Sequence, residues 1–410
     1  MNRRQFVGGA LLSGAYMAAA EDRARPKVRT VTAFVKLDRA HYLAQVQDAL
    51  QMLRRAKRLV ESGGYTVETL RIATQPFPEY AGGLSQAETL RFFREYDALA
   101  AKESFLANIG PAMMLDIEDA AQAQTLAEIL VSTSNLKASL MIGGEDGVQW
   151  RCVRAAAKLV KFLADHSSGS AANFNFAATA MLAPYGPFYP GAYHLGGGHC
   201  FAIGTESANV VERVFAQTGG NAPLATDHLT RELSFHAMAL EKMAHQIEKE
   251  TGWEYMGMDA TPAPLKEVSI GAAIERFTGV KFGMSGTMTA AGIITKAVQA
   301  APVKRAGFSG LMLPVLEDNV LAQRWSEGTC DLDALLAYSA VCATGLDTVP
   351  MAGDTTAGQI ERIMGDVATL AVKWKKPLTA RLLPVKGMRA GQRTRFNDPS
   401  MVNATIRTIG

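Results

Sequence analysis

Two neighbouring carboxylates, Glu317 and Asp318, end the stretch Gly307-Phe308-Ser309-Gly310-Leu311-Met312-Leu313-Pro314-Val315-Leu316-Glu317-Asp318. Its apolar run at 311–314 predicts a strand that delivers both acids to one end. Asp347 closes Val341-Cys342-Ala343-Thr344-Gly345-Leu346-Asp347, and Asp354 sits in Gly353-Asp354-Thr355 before another helix. In a parallel α/β fold the carboxyl ends of strands converge, so Glu317, Asp318, Asp347 and Asp354 are expected in one cleft. Carboxylates grouped this way exchange protons, hold sugar hydroxyls or bind a hard divalent cation. The bland alternative has Asp318 and Asp354 capping helices while Glu317 and Asp347 pair with Arg or Lys.

Other groups widen the candidate site. Cys342 is either a nucleophile or redox group, or an inert buried thiol. Gly283-Met284-Ser285-Gly286-Thr287 precedes an apolar helix, a geometry that offers backbone N–H groups to an anion. It lacks the Gly-Lys-Ser/Thr ending of a phosphate-binding P-loop. Ser285 and Thr287, with Asp259, Glu206 and Arg381, are the candidates to orient a substrate. Arg381 would grip a carboxylate or phosphate with two nitrogens. His194, His199 and Glu206 have side chains suited to a transition metal, although their spacing matches no zinc motif. Tyr185, Phe188 and Tyr189, interleaved with prolines over 184–190, form either an aromatic rim or an ordinary packed loop. Glu232–His236 and Glu241–His245 are spaced as surface pairs on a helix.

Alternating strands and helices must carry these groups. Apolar, β-branched runs predict strands at 28–35, 65–74, 129–133, 138–142, 173–181, 201–204, 255–258 and 378–382. Leu43, Val46, Leu50, Leu53 and Val60 recur at helical spacing, and Gly63-Gly64 ends that helix. Ser85-Gln86-Ala87-Glu88 is a capping box opening a helix to about residue 102. Further helices are expected at 148–165, 208–217 and 226–250. Repeated β-then-α units predict a largely parallel sheet in one large domain, with a closed or strongly curved sheet.

Composition excludes several classes. The chain has 410 residues, 48% of them apolar and 20% charged, with a net charge of +3. That charge is dispersed, unlike the basic face of a nucleic-acid binder. Cys152, Cys200, Cys330 and Cys342 are too few and too scattered for a disulfide framework. Residues 1–20 read as a signal peptide: paired Arg3 and Arg4, Phe6, a mildly apolar run diluted by glycines, and Ala18-Ala19-Ala20. The pattern resembles a twin-arginine signal, which implies the export machinery as a partner and a periplasmic destination. The run is too short for a membrane span.

The second half of the chain resembles a known but uncharacterised family. Asp259-Ala260-Thr261-Pro262-Ala263-Pro264, Ser269-Ile270-Gly271-Ala272-Ala273-Ile274-Glu275 and the Gly307–Val315 block carry the likeness. Tyr338-Ser339-Ala340-Val341-Cys342 with Thr344-Gly345-Leu346-Asp347, then Ala380-Arg381-Leu382-Leu383-Pro384-Val385, extend it. The family is that of domain of unknown function 711, also called uncharacterised protein family 210. The resemblance implies a closed α/β barrel similar to those of pyruvate formate-lyase and ribonucleotide reductase, and homodimers. It implies no reaction. Ala343 departs from the family's Cys-Gly-Thr-Gly loop, and the export signal departs from its cytoplasmic members. Residues 388–410 contain no Arg-Val-x-Gly-aromatic loop, which argues against glycyl-radical chemistry at Cys342. The expectation is an exported enzyme on a small polar metabolite, or a non-catalytic binding protein using the same cavity.

Overall fold

The computed structural model describes residues 25–342 and 344–409. The predicted signal at 1–20 and the departure at Ala343 lie outside the described residues. Ten strands are present: β1 (Lys27–Val35), β2 (Val67–Thr74), β3 (Leu106–Pro111), β4 (Leu136–Gly144), β5 (Gly147–Val148), β6 (Phe176–Ala180), β7 (Cys200–Glu206), β8 (Glu254–Asp259), β9 (Gly345–Ala352) and β10 (Leu378–Val385). Every residue of β6, β7 and β10 is buried. Strands covered on both faces read as continuous apolar runs, which is why most were legible.

The strands form one sheet in the order β8-β7-β1-β2-β3-β4-β6-β10-β9, with β5 paired to β4. β1, β2, β3, β4 and β6 run parallel to one another. So do β7 with β8 and β9 with β10. The two parallel blocks meet in antiparallel seams at β1/β7 and β6/β10.

Residues 304–315 join the remaining edges. Met258 donates to the Lys304 carbonyl at 2.7 Å and Ala306 donates back to Met258 at 2.9 Å. Further on, Val315 donates to the Asp347 carbonyl at 3.0 Å. Both bridges, Met258 to Arg305 and Pro314 to Asp347, are parallel. One stretch of chain thus bonds to both β8 and β9 through isolated bridges, at the two edges that the strand order leaves free. The α/β barrel expected from the sequence is the architecture.

Helices wrap the outside. The Tyr42–Ser62 helix buries Val46, Leu50, Leu53 and Val60, while Leu43 faces solvent. The Gln86–Glu103 helix begins with both halves of the capping box at Ser85 and Glu88 in place. The Trp150–His166 helix buries Val153, Ala156, Leu159, Val160 and Leu163, a stripe at helical spacing. Truncating Leu163 there would cost about 2–5 kcal/mol.

Three local expectations fail. Of the strand expected at 129–133, residues 129–132 belong to the Ala121–Ser132 helix and Thr133 is its C-cap, because a short apolar run has no period to separate strand from helix. β3 and β9 were not expected: Asn108, Gly110 and Pro111, and Gly345, Asp347 and Pro350, interrupt their patterns. The predicted strand at 311–314 pairs only through the isolated bridge at Pro314.

Candidate functional site

The barrel encloses a cavity of about 800 Å³. Arg29 from β1, Thr69 and Arg71 from β2, Lys137 from β4, Asp347 from β9, and Thr379 and Arg381 from β10 line it. Residues 69 and 71, like 379 and 381, are two apart and therefore share a sheet face. These polar groups lie within strands, whereas Glu317 and Asp398 reach the cavity from a turn and a loop.

Two β-bulges set their aim. The β1/β7 register slips between Val28 and Thr30, leaving Arg29 as the irregular residue. The β9/β10 register slips between Ala380 and Leu382, so that Asp347 and Thr348 together oppose Arg381. Thr348 adopts φ 47°, a conformation unfavourable for a β-branched residue. Bulges of this kind bend a strand and redirect its side chains.

A chain of ion pairs crosses the cavity. Arg381 Nη1 lies 2.9 Å from Glu317 Oε1 and 2.8 Å from Asp347 Oδ1. Its Nη2 donates to the Phe174 carbonyl at 3.2 Å, and the guanidinium sits 4.6 Å from the Phe174 ring centroid. Arg29 reaches Glu206 at 2.8 Å, Glu68 at 3.2 Å and Glu317 at 3.7 Å. Burial works against the Arg29 charge, but these three carboxylates outweigh it and raise its pKa. Burial also raises the Asp347 carboxyl, with Arg381 opposing and Glu317 reinforcing the shift. Glu206 is pushed up to about 7 by burial and by its hydrogen bond with Glu68.

Two cations stand apart from this chain. Arg71 is buried, donates through Nε to Thr69 Oγ1 at 3.0 Å, and lies 4.8 Å from the Tyr189 ring centroid. Among the described residues it has no carboxylate partner in ion-pair contact. Burial, then Arg29, push its guanidinium down to about 10. Lys137 bonds Asn175 Oδ1 and lies 5.5 Å from the Phe174 ring centroid. Burial, then Arg381 and Arg71, push its ammonium down to about 8. Unpaired buried charge is costly, so the buried Arg71, with the half-buried Lys137 in the same lining, makes the cavity favourable to an anion.

Of the 184–190 segment, Phe188, Tyr189 and Pro190 line the cavity, followed by Gly191, whereas Tyr185 packs against Phe34. The loop is pinned by Thr32 Oγ1 donating to Pro187 at 2.9 Å and Asn108 Nδ2 donating to Pro190 at 2.6 Å. Asp398, Pro399 and Ser400 complete the lining.

Of the residues predicted from sequence, Glu317, Asp347 and Arg381 meet in the cavity, and Glu206 joins them behind Arg29. Arg381 is committed to two internal carboxylates through one nitrogen, so the two-nitrogen grip on a substrate is not what it makes. Asp318 turns away. It caps the Asn319–Glu327 helix and accepts from Val320, Leu321, Ile270, Gly271 and the Ser269 hydroxyl. Glu317 ends a turn, its N–H donating to the Pro314 carbonyl at 3.2 Å, whereas Asp318 has the extended backbone of a helix N-cap, and this separates the two side chains.

Asp259 is likewise structural: it accepts from Phe308 at 2.6 Å, Ser309 at 3.1 Å and Thr261 at 3.0 Å, anchoring the segment that bonds both sheet edges. A Cβ on Gly307 would fall 2.4 Å from Asp259 Oδ2, so glycine is needed there. Asp354 is exposed after β9, where Thr356 rather than Asp354 caps the next helix. Ser285 is exposed, and Thr287 accepts from Gly283 within its own turn; neither lines the cavity. Cys342 is buried outside it, and all four cysteines are free thiols.

His194 bonds the Gly198 carbonyl, whereas His199 pairs with Asp48 and stacks on Trp253. Among the described residues no three His, Cys, Asp or Glu are grouped to hold a metal ion. His236 bonds the Tyr65 hydroxyl in the core, and His245 pairs with Glu248 rather than Glu241.

Sequence reasoning missed Arg29, Glu68, Arg71 and Lys137. A signal was available for two of them: Arg71 lies between Leu70 and Ile72, and Lys137 follows Leu136 in an apolar strand. A charge inside a buried strand needs an interior polar space.

Comparison with known proteins places the chain among relatives. The family model described as "Uncharacterised ACR (DUF711)" matches residues 21–397. A UPF0210 protein of Pyrobaculum arsenaticum is 35% identical over 283 residues, 66% of this chain and 62% of that protein. The match thus spans under two thirds of that relative's length. A UPF0210 protein of Pyrobaculum islandicum is 30% identical over 372 residues, 85% of this chain and 81% of the relative. One from Listeria monocytogenes serotype 4b is 24% identical over 397 residues, 90% of this chain and 88% of the relative. Among solved structures, the anaerobic ribonucleotide reductase from Thermotoga maritima in complex with dATP and CTP is similar. Its TM-score is 0.40 at 8% identity, covering 86% of this chain and 75% of that one.

Proposed function

The chain belongs to the DUF711 family, and from the cavity's own chemistry we propose that it is an enzyme acting on a small anionic metabolite inside the barrel. The carrying observation is Arg71, a buried guanidinium facing the cavity with no carboxylate in ion-pair contact among the described residues. A bound carboxylate or phosphate would supply the missing negative charge, and the apolar wall from Phe188 to Met312 would exclude water around it.

Asp347 and Lys137 supply the proton chemistry. Burial moves their pKa values toward each other, the carboxyl upward and the ammonium downward. Opposed shifts of this kind are how one site comes to hold both a proton donor and a proton acceptor. Arg381 holds Glu317 and Asp347 in place. A divalent cation at these carboxylates would have to displace Arg381, so acid–base work is favoured over metal binding.

The position of Cys342 outside the cavity supports chemistry that does not use a thiyl radical. The paired Arg3 and Arg4 support export of the folded barrel to the periplasm, and the family resemblance supports a homodimer. Among the described residues no helix is long and apolar enough to cross a membrane. A thermal-shift screen against small carboxylates, phosphorylated metabolites, sugars and divalent ions, with product analysis of each hit, tests the reading. Anion binding with turnover supports it, and anion binding without turnover leaves a non-catalytic binding protein. Stabilisation by neutral sugars alone would overturn both.

A further inference from the structure

Lys137 is the one amine that lines the cavity among the described residues, and its surroundings are unusual for a lysine. Among the described residues it forms no ion pair, and its one hydrogen-bond acceptor is the neutral amide oxygen of Asn175. Arg71 and Arg381 repel its charge more strongly than Asp398 and Glu317 attract it. The Phe174 ring, shared with Arg381, covers one side. Amines become nucleophiles in such places, where apolar burial and neighbouring cations disfavour the ammonium form.

We propose that Lys137 attacks the carbonyl carbon of an oxo-acid substrate and forms an imine, while Arg71 binds the substrate's carboxylate. This deepens the anion-site reading and rests on it. The neutral amine forms the C–N bond as the carbonyl pair moves to oxygen, giving a carbinolamine. The C–O bond then breaks and oxygen leaves as water, carrying both hydrogens that the amine gave up. Atoms and charge balance without an oxidant or reductant. With its ammonium held down to about 8, about a tenth of Lys137 is neutral at pH 7, against well under a hundredth for a surface lysine.

The substrate class follows from the two cations. One carboxylate answers Arg71, and one ketone or aldehyde carbon must reach Lys137. Phosphorylated sugars lacking a free carbonyl would bind without reacting.

The test is reductive trapping of the full chain. Glyoxylate, pyruvate and 2-oxoglutarate are each incubated with the protein and cyanoborohydride, and adducts are mapped by mass spectrometry beside a thermal-shift measurement with the same probe. The expected result is an adduct equal to the probe less one oxygen, forming at Lys137 about tenfold or more faster than at any other lysine. Arg71→Met should slow that labelling about tenfold or more, as expected for loss of a charge-assisted contact. Lys137→Arg keeps the charge without the nucleophile, so it should stabilise with the probe yet give no adduct at this position. A probe that stabilises the protein while labelling no lysine preferentially overturns the imine and leaves the anion site standing. Probes that neither stabilise nor label overturn both.

Discussion

Arg381 faces Asp347 across a β-bulge, its Nη1 2.8 Å from the Asp347 carboxylate, while the adjacent Thr348 is held at φ 47°. The extra residue on β9 is what turns Asp347 into the barrel, and the ion pair holds it there. Strain of this kind persists only where the surroundings over-determine it, and it clusters at functional sites. Thr348 is fixed in turn by accepting from the Leu316 N–H at 3.1 Å, one residue before Glu317.

Arg381→Met should destabilise the fold by about 3–5 kcal/mol, because it leaves Asp347 buried without its cation and Glu317 with only Arg29, 3.7 Å away. Adding Asp347→Asn should recover part of the loss. Urea unfolding of the single and double variants measures both. Equal loss in both would mean that the stranded Asp347 charge is not what destabilises the single variant.

Asp318→Ala should cost about 2 kcal/mol or more, since five hydrogen bonds converge on that buried carboxylate. Anion binding by the surviving folded protein should be unaffected. Asp354→Ala should change stability by no more than about 0.5 kcal/mol. The two substitutions separate the structural acid from the exposed one.

Gly307→Ala places a methyl against the Asp259 carboxylate at a φ of 64°. The expected loss is about 1–3 kcal/mol. The segment it disturbs carries Phe308 and Met312 into the cavity wall, so anion affinity should fall with stability. Unchanged affinity would show that this wall does not contact the ligand.

Glu206 gives the pH dependence a sign. Its folded pKa of about 7 exceeds the ordinary value of 4.5, so the folded state holds the extra proton between them. The stability it contributes is fully present below about 4.5 and is lost as pH rises through 7, by up to about 3 kcal/mol. Glu206→Gln cannot ionise. Native stability relative to this variant should therefore fall across pH 4.5 to 7, and a flat difference would refute the assignment.

Much of the barrel was legible because buried strands carry their apolar content openly, as in 28–35 and 378–382. β3 and β9 were hidden because Gly110, Pro111, Gly345 and Pro350 imitate loop punctuation. The site was half legible for a related reason. Acids on glycine-rich loops attract attention, and three sequence candidates, Glu317, Asp347 and Arg381, do meet. The unpaired cations sit in strand interiors, where one charge among apolar neighbours reads as an edge position. Asp318 and Asp259 illustrate the converse: a loop carboxylate can be spent entirely on backbone N–H groups. Nothing in their own spacing separates that use from catalysis.

The most direct test of the central claim is calorimetric titration of small carboxylates and phosphorylated metabolites into the native protein and the Arg71→Met variant. Removing a buried guanidinium with no carboxylate in ion-pair contact among the described residues should leave the ligand-free fold at least as stable as before. A saturable anion should bind the native protein and bind the variant at least about tenfold more weakly, as expected for a charge-assisted contact. Equal affinity in a variant of equal stability would contradict the account.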